Sequence, residues 1–239
     1  KAELSTISTM MSDAAPEVIN IKREIGALQS EINKRKEQIS TTDPDSSDET
    51  DADVVESFLY AAKHGAKLIN CSFGKSHNEG GNIVNETITH IGKTFGVLTF
   101  AAAGNDYGRD IDTRLTYPAS FDSEYLLVVA STSKSGRLSY FSNIGRKNVD
   151  VAAPGSDVYS TVPGNRYSNM SGTSMATPTT VGVAAEVLSH FPSLTPLQLK
   201  KVLMSSVTKV GRFKKKMVSG GRVDLFNSLK FTLENFNKL

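Results

Sequence analysis

A single cysteine, Cys71, is all the thiol chemistry the 239-residue chain carries, so no disulfide framework can hold it together from within. Cys71 sits in an apolar run and reads as a small buried hydrophobe rather than a redox group. No stretch approaches the run of about 18 apolar residues that a membrane-spanning helix needs. No charged-then-apolar signal opens the chain either, but residue 1 is Lys and not Met, so that lack carries no weight. Charge of one sign is equally scarce. A formal net charge of +2 gives no global field to draw in nucleic acid or an anionic membrane. The basic run Arg212-Phe-Lys-Lys-Lys215 comes without stacking aromatics or a recognition motif, which makes it a solvated loop and argues against a nucleic-acid partner.

What is present suffices for one sizeable core, since 38% of the residues are hydrophobic. Residues 1–50 differ from the rest. Val18, Ile21, Ile25, Leu28, Ile32 and Ile39 lie on three- and four-residue steps, which predicts an amphipathic helix whose seam Arg35 interrupts. The seam is too short for a coiled coil, so the helix packs on its own domain or docks on another chain. The acidic stretch from Asp43 to Asp53 reads as a solvated linker that N-caps the next helix. It lacks the central Gly and terminal Glu of an EF-hand loop.

From there helices alternate with short apolar runs. Helices are expected over 53–64, stopped by Gly65, and over 82–93. Strands of the buried, continuous type are expected over 67–71, 97–103, 126–130 and 149–153. The last third predicts helices over 174–190, 195–206 and 224–231. This rhythm implies a three-layer α/β/α sandwich with a mostly parallel sheet. The domain organisation expected is a helical segment and linker over 1–50, then one α/β domain over 51–239.

The densest signal is Ser171-Gly-Thr-Ser-Met-Ala-Thr-Pro178, a small-residue turn running into an amphipathic helix. Pro178 is expected in the first turn, where its missing N–H has no intrahelical partner. Ser174 then sits at a helix N-terminus, where free N–H groups and the helix dipole favour developing negative charge. These eight residues resemble the nucleophile signature of the subtilisin-like serine proteases, the subtilases. Ala101-Ala-Ala-Gly-Asn105, Ile69-Asn-Cys-Ser-Phe-Gly74, Tyr117-Pro-Ala-Ser120, Phe141-Ser-Asn143, Val151-Ala-Ala-Pro-Gly155, Ser160-Thr-Val-Pro-Gly164 and Gly221-Arg-Val-Asp224 resemble further family segments in the family's order. The resemblance covers about residues 52–230.

The resemblance implies peptide-bond hydrolysis by acyl transfer, with Ser174 as nucleophile and Asn105 as side-chain donor of the oxyanion hole. It implies a substrate site walled by Ser72, Phe73 and Gly74, by Ala102, Ala103 and Gly104, and by Thr173. These small-lined walls admit a bulky apolar side chain, and the pocket floor has no assignment. Extended peptide is expected to add to segment 69–74 as a strand. No cofactor is required; calcium is common in the family, but no metal site is assigned. Most subtilases act outside the cytoplasm, which weakly favours the same here.

Two family motifs are missing: the Asp-(Ser/Thr)-Gly turn and the His-Gly-Thr-His helix start that bring the base and the residue orienting it. A serine hydroxyl is a poor nucleophile without them. His64, His77, His90 and His190 read as structural. Thr179 stands where the family often has a His after the Pro, a change in helix packing. Two readings follow. In one, the chain is the C-terminal portion of an endopeptidase, incomplete at its N-terminal side, and a complementary fragment supplies Asp and His. In the other, it is an inactive subtilase-like scaffold that binds peptide or a partner protein.

Overall fold

The computed structural model describes residues 50–78 and 81–239. The helix expected around Val18 to Ile39 lies outside them. The chain divides between Glu56 and Ser57.

Thr50 and Asp53 cap the first described helix, α1 (Asp51–Lys63). The Thr50 hydroxyl accepts the Asp53 N–H at 3.2 Å, and the Asp53 carboxylate accepts the Thr50 N–H at 3.3 Å. Each satisfies a helix-start donor that has no intrahelical acceptor. Beyond the helix, β1 (Leu68–Cys71), α2 (Ile83–Phe95), β2 (Leu98–Ala102), β3 (Leu126–Thr132) and β4 (Val151–Pro154) follow the expected alternation. α2 stops at Gly96, which takes the left-handed conformation (φ 70°) that favours glycine.

The main sheet has the order β1-β2-β3-β4-β8-β7, where β7 (Thr208–Lys209) and β8 (Gly221–Arg222) are short late additions. β1 to β4 pair in parallel, with Cys71 opposite Ala101, Ala101 opposite Val128 and Ala130 opposite Ala152. Every residue of β2 and β3 is buried, as parallel strands covered on both faces require. On one face Phe100, Leu127, Val129 and Val151 pack against Ala176, Ala184 and Val187 of α3 (Thr173–His190) and against Leu199, Val202 and Leu203 of α4 (Pro196–Ser205). The small residues of α3 let that helix lie close to the sheet, and its first turn therefore sits at the strands' carboxyl ends.

Three features depart from the sequence expectation. An antiparallel hairpin, β5 (Val158–Val162) and β6 (Arg166–Met170), rises ahead of α3 with nearly all of its residues exposed. The basic run does not run free: its own Phe213 and nearby Met217 are buried, it begins in a 3₁₀ turn (Gly211–Phe213), and β7 and β8 flank it. The closing helix α5 runs over Leu225–Asn235, longer than expected, with the Asp224 carboxylate capping the Asn227 N–H.

Candidate active site

α3 begins without help from its own sequence. Gly172 precedes it in extended backbone (φ 168°) and offers no side chain to cap it, so the first helical N–H groups need acceptors from elsewhere. Asn105, in the turn after β2, supplies one. Its Oδ1 accepts the Thr173 N–H at 2.9 Å and the Thr173 hydroxyl at 3.1 Å. Thr173 is fully buried, and its hydroxyl oxygen accepts the Gly104 N–H at 3.1 Å. With the amide oxygen engaged twice, the Asn105 Nδ2 group remains to serve another acceptor.

That remaining donor has a neighbour. Nδ2 of Asn105 and the backbone nitrogen of Ser174 each lie 3.6 Å from the point a Cβ on Gly172 would occupy. Met175 Sδ lies nearer that point, at 3.5 Å, so two N–H donors and a thioether surround it at the positive end of a helix. Among the described residues the Ser174 N–H has no acceptor.

Pro178 lies deeper in α3 than expected. The helix starts at Thr173 and holds Pro178 in its interior, so the missing N–H is the one that would bond the carbonyl of Ser174. Ser72 fills the gap, its hydroxyl donating to the Ser174 carbonyl at 2.8 Å. In return the Ser174 hydroxyl donates to the Ser72 carbonyl at 3.1 Å. The segment leaving β1 is thereby tied to the start of α3, and the hydroxyl rests on a neutral carbonyl that cannot take its proton. Further along, Lys75 and Tyr117 exchange backbone hydrogen bonds at 2.9 and 2.8 Å. This sets Thr116 opposite Gly74, whose added Cβ would stand 3.6 Å from the Thr116 methyl.

Between these segments opens a cleft of ≈520 Å³. Ser72, Phe73, Gly74, Ala102, Gly104 and Thr173 line it together with Ser174 and Asn105. Ala103, expected among them, does not: it is fully buried, and its carbonyl accepts a hydrogen bond from Asn143. Lys75, Ser76, Asp106, Arg109 and Thr116 also line the cleft and were not foreseen. Their adjacency to the Gly74, Asn105 and Tyr117-Pro118 motifs was the signal available. Asp106 and Arg109 form an ion pair at 3.2 Å.

No histidine lines the cleft. His64 sits against the Tyr60 ring, with Nδ1 2.8 Å from the Tyr60 carbonyl. His190 approaches Glu186 on the exposed end of α3 at 3.3 Å. His90 meets the Phe95 ring edge-on, and His77 lies in the loop after β1. Among the described residues no three acidic, histidine or cysteine side chains converge on a common metal position. No described helix is long and apolar enough to cross a membrane.

The profile of the Subtilase family matches residues 37–220. Subtilisin DY of Bacillus licheniformis is 33% identical over 158 residues, 66% of this chain and 56% of that protein. The halolysin-like extracellular serine protease Nep of Natrialba magadii is 36% identical over 160 residues, 67% of this chain and 28% of that protein. Among solved structures, that of the prenylagaramide maturation protease PagA superposes with a TM-score of 0.67 at 28% identity, covering 77% of this chain and 70% of that one. The chain spans little more than half the length, at most, of these two curated relatives.

Proposed function

Because the chain belongs to the subtilase family, we propose that it supplies the nucleophile and oxyanion half of a serine endopeptidase, residues 51–239 forming the C-terminal portion of its catalytic domain. The observation that carries this reading is the placement of Asn105 Nδ2 and the Ser174 nitrogen, each 3.6 Å from the point a Cβ on Gly172 would occupy, in a cleft that Asn105 and Ser174 line together.

The chemistry is acyl transfer. Ser174 Oγ bonds to the carbonyl carbon of a peptide laid along Ser72 to Gly74, and its proton passes to a histidine. The carbonyl π pair moves onto oxygen, and that oxyanion accepts hydrogen bonds from Asn105 Nδ2 and the Ser174 N–H. Collapse breaks the C–N bond, and the leaving amine takes the proton from the imidazolium. Water then repeats the sequence on the acyl-enzyme and frees Ser174. Since none of the four histidines lines the cleft, the base and its orienting Asp come from a complementary segment outside this chain. Its docking must lift the Ser174 hydroxyl off the Ser72 carbonyl. An extracytoplasmic site of action is in keeping with the extracellular relative of Natrialba magadii.

The test is fluorophosphonate labelling of the chain in the presence and absence of the upstream polypeptide. Labelling at Ser174, mapped by peptide mass and lost in Ser174→Ala, is expected only with the upstream segment present. In that complex Asn105→Ala is expected to slow turnover by about 10²–10³-fold, the loss seen on removing one such donor from a subtilisin. The lack of a cleft histidine also favours a second reading, a scaffold that holds extended peptide without cleaving it. Failure to label at any pH with the upstream segment bound leaves that reading alone standing.

A further inference from the structure

The turn that carries Asn105 is held from behind by a buried residue that takes no part in the chemistry above. Asn143 lies between β3 and β4 and is fully buried. Its Nδ2 donates to the Ala103 carbonyl at 2.9 Å and to the Asp106 carboxylate at 2.8 Å. Its Oδ1 accepts the Asp106 N–H at 2.9 Å, and its backbone N–H donates to the Gly104 carbonyl at 2.9 Å. One residue therefore grips positions 103, 104 and 106, on both sides of Asn105.

Both ends of the amide are used, and each needs its own chemistry. A donor end faces the Ala103 carbonyl and the Asp106 carboxylate; an acceptor end faces the Asp106 N–H. An Asp of the same shape would set a carboxylate against both oxygens. The fit is also close. Gly104 has φ +98°, which L side chains rarely adopt, and a Cβ there would run into Asn143 Nδ2. Thr173 holds the oxygen of the Asn105 side chain, but the direction of Nδ2 depends equally on where the backbone at 105 stands. A shift of about 0.5 Å there is enough to misdirect a catalytic donor.

We propose that Asn143 is a positioning residue: by clamping the 103–106 turn, it aims the Asn105 amide at the oxyanion. This rests on the reading of Asn105 as an oxyanion donor. Its effect through Asn105 falls on the transition state.

The test uses the full chain labelled with ¹⁵N-asparagine, in which the Asn105 side-chain amide pair is identified by its loss in Asn105→Ala. Asn143→Asp keeps the volume and reverses the donor end; Asn143→Ala removes the clamp. Both are expected to shift the Asn105 pair. The Asn85 pair, bonded to Asp122 on another part of the fold, stays in place and reports that the variant is folded. If one variant fails that check, the other is read. An Asn105 pair unmoved in the folded variant overturns the proposal.

In the complex with the upstream segment, Asn143→Asp is expected to lower kcat about 10- to 100-fold, a larger factor than any rise in KM through Gly104 and Asp106 at the cleft wall. On top of Asn105→Ala it is expected to cost nothing more. A loss confined to KM, or one fully additive with Asn105→Ala, overturns it as well. The two proposals fail separately: an unlabelled Ser174 sinks the activity and leaves the resonance test standing, whereas unmoved resonances sink Asn143 and leave the labelling untouched.

Discussion

Thr173 and Asn105 stand 68 residues apart in the chain, and the hydrogen bonds between them decide what the cleft amide can donate to. The sequence marked both positions and placed Thr173 at the wall of the substrate site, which it lines, but not the buried hydroxyl by which it bridges Asn105 and Gly104. Motif likeness reports which residues stand at a site, not which atom of each faces the substrate. Cys71 shows the opposite case, since its apolar neighbours in sequence already implied a buried thiol. It is fully buried on β1, and desolvation pushes its pKa up to about 12. Because burial raises that value, the thiol is neutral throughout the physiological range, and only the thiolate reacts. Iodoacetamide at pH 8 is therefore expected to leave the native chain unmodified and to alkylate it fully in denaturant, as read by intact mass. Rapid alkylation of the native chain would count against this burial.

At the level of elements, α3 shows how one helix compensates its own flaw through another segment. Pro178 withdraws the N–H that the Ser174 carbonyl would use, and the Ser72 hydroxyl replaces it. Ser72→Ala is expected to cost about 1 kcal/mol of stability by leaving that carbonyl unpaired. Pro178→Ala restores the helical donor, so the double variant is expected to recover most of the loss. Urea unfolding of the four proteins measures the coupling, and strict additivity would mean that the two groups act independently. The helices and the buried strands were legible because their apolar residues repeat with the period of a helix or run continuously through a covered sheet. The β5–β6 hairpin was not. Its exposed strands carry no burial pattern to read, and its turn is set by the left-handed residues Gly164 and Asn165. The depth of Pro178 in α3 was missed for a different reason: the helix begins where Asn105 caps it from a distant turn, not where a local capping residue stands.

Over the whole molecule, the sheet order leaves β1 at one end, where among the described residues it pairs only with β2. Its burial is incomplete, with Asn70 exposed, whereas β2 and β3 are buried throughout. If a complementary segment brings Asp and His to this side, its binding stabilises the folded chain by mass action, by about 2.7 kcal/mol at a hundredfold excess over Kd. The melting temperature is then expected to rise with the concentration of that segment in calorimetry. A melting temperature independent of it would count against complementation. The sequence alone determined the family, the parallel α/β architecture and the two residues on which a hydrolytic reading rests. Those follow from local periodicity and from motifs whose residue types survive being read in a line. Only the tertiary structure decided that the Thr173 hydroxyl bridges Asn105 and Gly104, that Ser72 and Ser174 bond each other, that Thr116 lines the cleft, and that Asn143 grips the turn around Asn105. Each of these is a contact between segments far apart in the chain. A hydrogen bond's direction depends on where both partners stand, and that is fixed when the sheet and α3 pack together.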